Sequence, residues 1–177
     1  MSIIKTVETN EAAGTVAKVY AALKQSLGFV PNGMKLLSSS PQTLDRQFQS
    51  VSYYMNHPTL GQALIAMVRM LVSMKTFCAY CVDINTRLLL DMGFSAEAIQ
   101  ATKKNPEMAP LGEKEKAMLL FVMKSVFDGH AVEKGDIAQL RKLGWTDADI
   151  LDATALGAYM MAGDILYNAF KVEKEAA

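Results

Sequence analysis

Two cysteines stand three residues apart, as Cys78-Ala-Tyr-Cys81, and they are the only cysteines among 177 residues. A pair so spaced has three chemical uses. It can cycle between dithiol and disulfide, supply two ligands to a metal, or serve as two small apolar residues in a core. Zinc takes about four ligands, commonly Cys and His. The chain offers only His57 and His130 besides the pair, with no metal spacing between them. No metal or other cofactor is therefore expected, and redox-capable thiols are weighed against inert ones.

If Cys78 lies in the first turn of a helix, the three-residue step puts both sulfurs on one face, close enough to bridge. Unpaired N–H groups at a helix start favour a thiolate, the form that attacks peroxides and disulfides. Lys75 precedes the pair and adds positive charge. Asn85 stands on the same face four residues beyond Cys81, where a base would activate it, but asparagine takes no proton. His57, within Asn56-His57-Pro58, is either a helix-end residue between two breakers or a base reaching the thiols from the preceding turn. Tyr80, with Tyr53 and Tyr54, either lines the approach to the thiols or packs as ordinary aromatics. His130 is expected on an exposed turn.

These residues need elements to position them, and the apolar spacing is helical almost throughout. Ala17, Val19, Tyr20, Leu23 and Leu27 mark a first helix that ends at Gly28. The turn Gly28-Phe-Val-Pro-Asn-Gly33 precedes a short helix, Met34 to Leu37. Pro41 then opens a helix through Met55, with Ser39 or Ser40 as its cap. Thr59 is expected to cap a helix from Leu60 to about Lys75, apolar on nearly every side and therefore buried on all of them. Helices are further expected from about Cys78 to Met92 (ended by Gly93), from Ala96 to Lys103 under a Ser95 cap, from Glu113 to Phe127, and from Glu133 to Leu143. Asn105–Pro110 reads as a linker and Asp128-Gly-His130 as a turn. Thr146 caps a last long helix rich in small residues, among them Ala153, Gly157, Ala158 and Gly163. No stretch alternates with period two, so the fold class is all-α.

The chain also repeats itself. Leu89-Leu-Asp-Met-Gly-Phe-Ser-Ala-Glu-Ala-Ile99 matches Leu140-Arg-Lys-Leu-Gly-Trp-Thr-Asp-Ala-Asp-Ile150 at an offset of 51 residues. The same offset aligns Met67 with Met118 and lays the cysteine turn over Gly129-His-Ala-Val132, so only one copy carries thiols. The expected organisation is one all-helical domain. N-terminal helices occupy 1–56, a first repeat unit 57–104, a linker 105–111 and a second unit 112–170.

Composition narrows the function classes. Half the residues are apolar, and 18 basic residues balance 18 acidic ones. Nothing electrostatic recommends nucleic acid or an anionic membrane as a partner. Charges interrupt both strongly apolar runs: Arg69 and Lys75 in one, Asp152 and Asp164 in the other. Neither reads as a membrane span. The N-terminus has no long apolar core, so no secretory signal is expected and a cytoplasmic location is.

Three segments carry a resemblance: Leu27-Gly-Phe-Val-Pro-Asn32, Phe77-Cys-Ala-Tyr-Cys-Val82 and the helix restart Gly93-Phe-Ser95 to Ile99. Over roughly residues 15 to 170 the chain resembles the carboxymuconolactone decarboxylase and alkyl hydroperoxidase D-like family, and within it the peroxidase-related branch. The resemblance implies an alkyl hydroperoxidase D-like helical bundle and a homo-oligomer, a trimer or a hexamer. It implies a peroxidase or disulfide reductase in which Cys81 is oxidised to a sulfenic acid and Cys78 resolves it. The family's relay glutamate and histidine fall on Ala66 and Asn85 here, and Gln62, one turn earlier, is no acid either. The helix-start argument favours Cys78 as the more readily ionised thiol, against the family's order.

The leading expectation is a Cys-x-x-Cys oxidoreductase acting on peroxides or disulfides, turned over by a thiol reductant and slow for want of the relay. The alternative is a non-catalytic homo-oligomeric binding or redox-sensing module. A decarboxylase-like lyase is disfavoured, because no acid–base pair for it is found.

Overall fold

The computed structural model describes residues 2–175, and within them the chain is helical with no strand. The helices are α1 (Gly14–Leu27), α2 (Asn32–Leu37), α3 (Pro41–Met55), α4 (Gln62–Lys75), α5 (Ala79–Asp91), α6 (Ala96–Lys104), α7 (Glu113–Phe127), α8 (Lys134–Lys142) and α9 (Asp147–Ala169). The linker and the turn expected between them each hold one 3-10 turn, Pro106–Met108 and Gly129–Ala131. No helix among the described residues is long and apolar enough to cross a membrane.

The described residues form two compact units, His57–Ile165 and a second made of residues 2–56 with 166–175. In the latter, α3 packs against α1 and α2. Val16, Val19, Tyr20 and Leu23 of α1 close over Met34, Leu37 and Leu44. The Tyr20 hydroxyl donates to the Val7 carbonyl at 2.9 Å. Burial raises its pKa, partly offset by a hydrogen bond with Ser38.

The His57–Ile165 unit carries the cysteines. Its helices α4 and α7 begin 51 residues apart, at Gln62 and Glu113, as do α6 and α9, at Ala96 and Asp147. The duplication is thus visible in the helix starts. The repeat-related Met67 and Met118 are both fully buried where α4 meets α7. α5 lies along α4, and α8 along α7. α9 approaches α7 closely at Gly157, where a Cβ would come within 2.7 Å of a Val126 methyl and 2.9 Å of a Val122 methyl. That is the physical reason for its small residue at this point.

Local chemistry sets the helix ends. Ser95 Oγ accepts the Ala98 N–H, and Thr146 forms a reciprocal cap with Asp149, so both are caps as the sequence suggests. Two expected caps differ. Ser40 does sit at the start of α3, but its hydroxyl pairs with Thr43 Oγ1 rather than with an amide. At α4 the cap position is Gly61, not Thr59, because the Thr59 hydroxyl is drawn away to the Asp149 carboxylate.

Candidate active site

The cysteines are placed by an unusual helix end. α1, α5 and α8 each terminate on a glycine in the left-handed region, Gly28, Gly93 and Gly144, with φ of 82°, 90° and 84°. α4 terminates the same way on Phe77, at φ 58°. The Cys78 N–H reaches back to the Ser73 carbonyl at 2.9 Å and the Phe77 N–H to Met74 at 3.4 Å, the pairing of a Schellman end. An L-residue in this conformation is strained, and the Phe77 ring gains no burial here, being 87% exposed. The reversal passes the chain directly from α4 into α5, with Cys78 at the junction.

Cys78 is the N-cap of α5 rather than a residue of its first turn, and its sulfur accepts the Cys81 N–H at 3.4 Å. Both thiols are free and 1% exposed. The third member of the cluster is Asp164, which comes from α9 and is fully buried. Its carboxylate and the two sulfurs all lie within 4.8 Å of one another. Ser73 Oγ donates to Asp164 Oδ1 at 3.0 Å, and Thr76 Oγ1 to Oδ2 at 2.5 Å. Two hydroxyls from the end of α4 therefore hold the carboxylate against the thiols. Hydrogen bonding with Cys78, burial and the negative charge of Asp164 push the Cys81 thiol far above its ordinary value.

The other residues singled out from sequence are placed as follows. Asn85 is buried one turn beyond Cys81, and its amide donates to the Cys81 carbonyl at 2.8 Å, so it braces the backbone of α5 and not the sulfur. Tyr80 is buried and Lys75 exposed. Ala66, at the position of the family's glutamate, is buried in α4. His57 is engaged elsewhere in the same unit. Its Nδ1 accepts the Leu60 N–H at 3.1 Å, and its Nε2 meets the Asp152 carboxylate at 3.3 Å. With Nδ1 occupied as an acceptor, the ring proton lies on Nε2, facing Asp152. His57 thus ties the start of the α4 region to α9. His130 is exposed.

Sequence reasoning missed Asp164. Its one signal was a carboxylate interrupting an apolar, small-residue helix, where burial of a charge demands a partner.

No protein-family profile matches the chain, and no curated protein matches it in sequence. Solved structures do match. The alkyl hydroperoxidase D core of an uncharacterized peroxidase-related protein from Ralstonia eutropha JMP134 superposes with a TM-score of 0.87, over 98% of this chain and 92% of that one. This chain has the alkyl hydroperoxidase D fold. The sequence identity to that protein is 22%. A peroxidase-related protein from Silicibacter sp. TM1040 shares the fold at a TM-score of 0.81 and 22% identity, over 90% of this chain and 84% of its own. The debrominase Bmp8, solved as a Cys-to-Ala variant in complex with 2,3,4-tribromopyrrole, gives 0.79 and 17% identity, over 99% and 95%. At these identities the likeness to alkyl hydroperoxidase D is one of fold.

Proposed function

We propose that the chain is a dithiol peroxidase in which Asp164 replaces the missing relay. The observation that carries this reading is the convergence of Cys78, Cys81 and a buried, doubly hydrogen-bonded carboxylate within 4.8 Å. The expectation from sequence was a pair lacking an activating partner; Asp164 supplies an acceptor for a thiol proton.

The geometry favours Cys78 as the attacking sulfur, reversing the order implied by the family. Cys78 accepts the N–H at the start of α5, which supports its sulfur as the nucleophile, whereas hydrogen bonding with Cys78, burial and Asp164 push the Cys81 thiol up. Cys78 gives up its proton and attacks the hydroperoxide, breaking the O–O bond to give Cys78 sulfenic acid, and that proton leaves with the alcohol. Cys81 then attacks the sulfenic sulfur while Asp164 takes its proton. Asp164 passes that proton to the departing hydroxide, so water leaves and the Cys78–Cys81 disulfide closes. An external dithiol returns the pair to its reduced form. With both sulfurs 1% exposed, small hydroperoxides suit the site better than protein disulfides.

The test separates the two cysteines. In Cys81→Ser, peroxide should leave a sulfenic acid on Cys78 that a cyclic 1,3-diketone traps; in Cys78→Ser, no adduct should form on Cys81. The reverse pattern sinks the assignment. Failure of the unaltered chain to close a disulfide sinks the peroxidase reading itself.

A second reading is favoured by the likeness to the debrominase. The same dithiol can remove a halogen from an electron-rich ring, since an aryl bromide and two thiols give the arene, a disulfide and HBr. Bromide release from 2,3,4-tribromopyrrole on mixing with reduced protein distinguishes it.

A further inference from the structure

We infer that Cys78, Cys81 and Asp164 form a binding site for a thiophilic divalent cation of the zinc class, and that this ion holds the pair reduced. The inference does not depend on peroxidase activity, because it rests on the donor set. Two sulfurs at Cys-x-x-Cys spacing and one carboxylate converge in a buried place, their donor atoms all within 4.8 Å of one another. A tetrahedral zinc with ~2.3 Å bonds to sulfur spaces its ligands ~3.7 Å apart, so a contraction of at most ~1 Å closes the triangle.

The surroundings fit a ligand set. Metal-bound carboxylates are commonly oriented by hydrogen bonds from a second layer of residues. Here Ser73 and Thr76 hold one carboxylate oxygen each, leaving lone pairs on both for a cation. The Cys81 N–H supports the Cys78 sulfur in the same way. Without an ion, three potential anions face each other in a buried place; a divalent cation turns that repulsion into attraction. Two sulfur donors select zinc or cadmium over magnesium, calcium or manganese. Neither histidine joins this cluster, so the fourth position is left to water or an exogenous ligand.

Binding replaces two thiol protons with one ion: the reduced pair and M²⁺ give the bis-thiolate and two H⁺. Sulfur lone pairs engaged by the metal are withdrawn from attack on peroxide, so the loaded form should resist oxidation.

The experiment titrates the reduced full-length chain anaerobically with Co²⁺, and then displaces it with Zn²⁺. One ion per chain is expected, with a thiolate-to-cobalt charge-transfer band and release of about two protons, the number freed when two thiols become ligands. The Cys78→Ser/Cys81→Ser variant should lose the band. Asp164→Asn should bind zinc about tenfold or more weakly, the scale at which perturbed metal sites lose affinity. The unaltered chain oxidised to its disulfide should not bind, and this control involves no variant that could misfold. Cobalt bound without the thiolate band, binding retained by the double variant or the oxidised chain, or unchanged affinity in Asp164→Asn overturns the site. Unslowed disulfide closure in the zinc-loaded chain overturns the protective role. If the metal-free chain forms no disulfide with peroxide, the peroxidase reading falls while the metal site is still decided by its own titration.

Discussion

Asp164 can be probed by two substitutions that separate support from chemistry. The carboxylate accepts one hydroxyl on each oxygen, from Ser73 and Thr76, and it is fully buried. A hydrogen bond to a charged group contributes ~1.5–3 kcal/mol net. Asp164→Ala removes both bonds and leaves a small cavity. Two effects limit the loss. Thr76 Oγ1 also bonds the Val72 and Ser73 carbonyls, at 3.2 and 3.3 Å, so it is not orphaned. The variant also no longer buries a carboxylate. The expected destabilisation is ~2–3 kcal/mol, a fall in Tm of roughly 4–12 °C for a chain of this size. Asp164→Asn keeps the volume and one acceptor oxygen, and should cost about 1 kcal/mol.

The kinetic expectation runs the other way. Asparagine takes no proton, so Asp164→Asn should slow disulfide closure by roughly 10²–10⁴-fold, the usual worth of a general base, although the protein is nearly as stable as the parent. The slow step should appear as a trappable sulfenic acid on Cys78. Thermal melts of both variants and rapid-quench thiol counting after a peroxide pulse supply the measurements. Closure at the parent rate in Asp164→Asn refutes the base role and leaves Asp164 as a hydrogen-bond acceptor only. An unchanged melt for Asp164→Ala refutes the energetic reading of its two hydroxyl contacts.

Two further outcomes follow from the same geometry. Phe77→Gly should raise stability by about 0.5–1 kcal/mol, because it removes ~1–2 kcal/mol of left-handed strain and returns only ~0.5–1 kcal/mol of unfolded-chain freedom. A lower Tm in Phe77→Gly would mean that the exposed ring is buried against a partner in solution. The Cys81 thiol gives a pH dependence with a definite sign: its folded pKa lies above its ordinary value of 9.0, so from about that pH upward the unfolded chain loses a proton that the folded chain keeps. Stability should be fully retained below pH 9 and then fall by up to about 1.4 kcal/mol per pH unit, a slope that Cys81→Ser removes in denaturant titrations.

The helical plan was legible because its signals are local. The glycines at 28, 93 and 144 end helices in the conformation glycine adopts most freely, and Ser95 and Thr146 cap as their types suggest. The 51-residue offset survives as coincident helix starts at Gln62 and Glu113. Local signals also produced the errors. Thr59 precedes an apolar run as a cap would, but its hydroxyl donates to Asp149 on a helix distant in sequence. Phe77 ends a helix in a glycine conformation with nothing in its type to announce it, since the strain is sustained by the turn around it.

The site was half legible for the same reason. Cys78 caps the turn of helix that holds Cys81, so three-residue spacing brings their sulfurs together. Asp164 reaches them only because α9 returns to the end of α4 and α5, and no periodicity within α9 reports which side chains it will meet. The positions where the resemblance places an acid and a base hold Ala66 and Asn85, one apolar and the other turned to a backbone carbonyl. The folded chain instead brings a carboxylate from α9 to the thiols. In the proposed mechanism the two copies then have different tasks. The first supplies the thiols and the hydroxyls of Ser73 and Thr76, and the second supplies the charge they hold. In that mechanism the activating group need not lie near the thiols in sequence, provided it is buried and hydrogen-bonded in place, as Asp164 is.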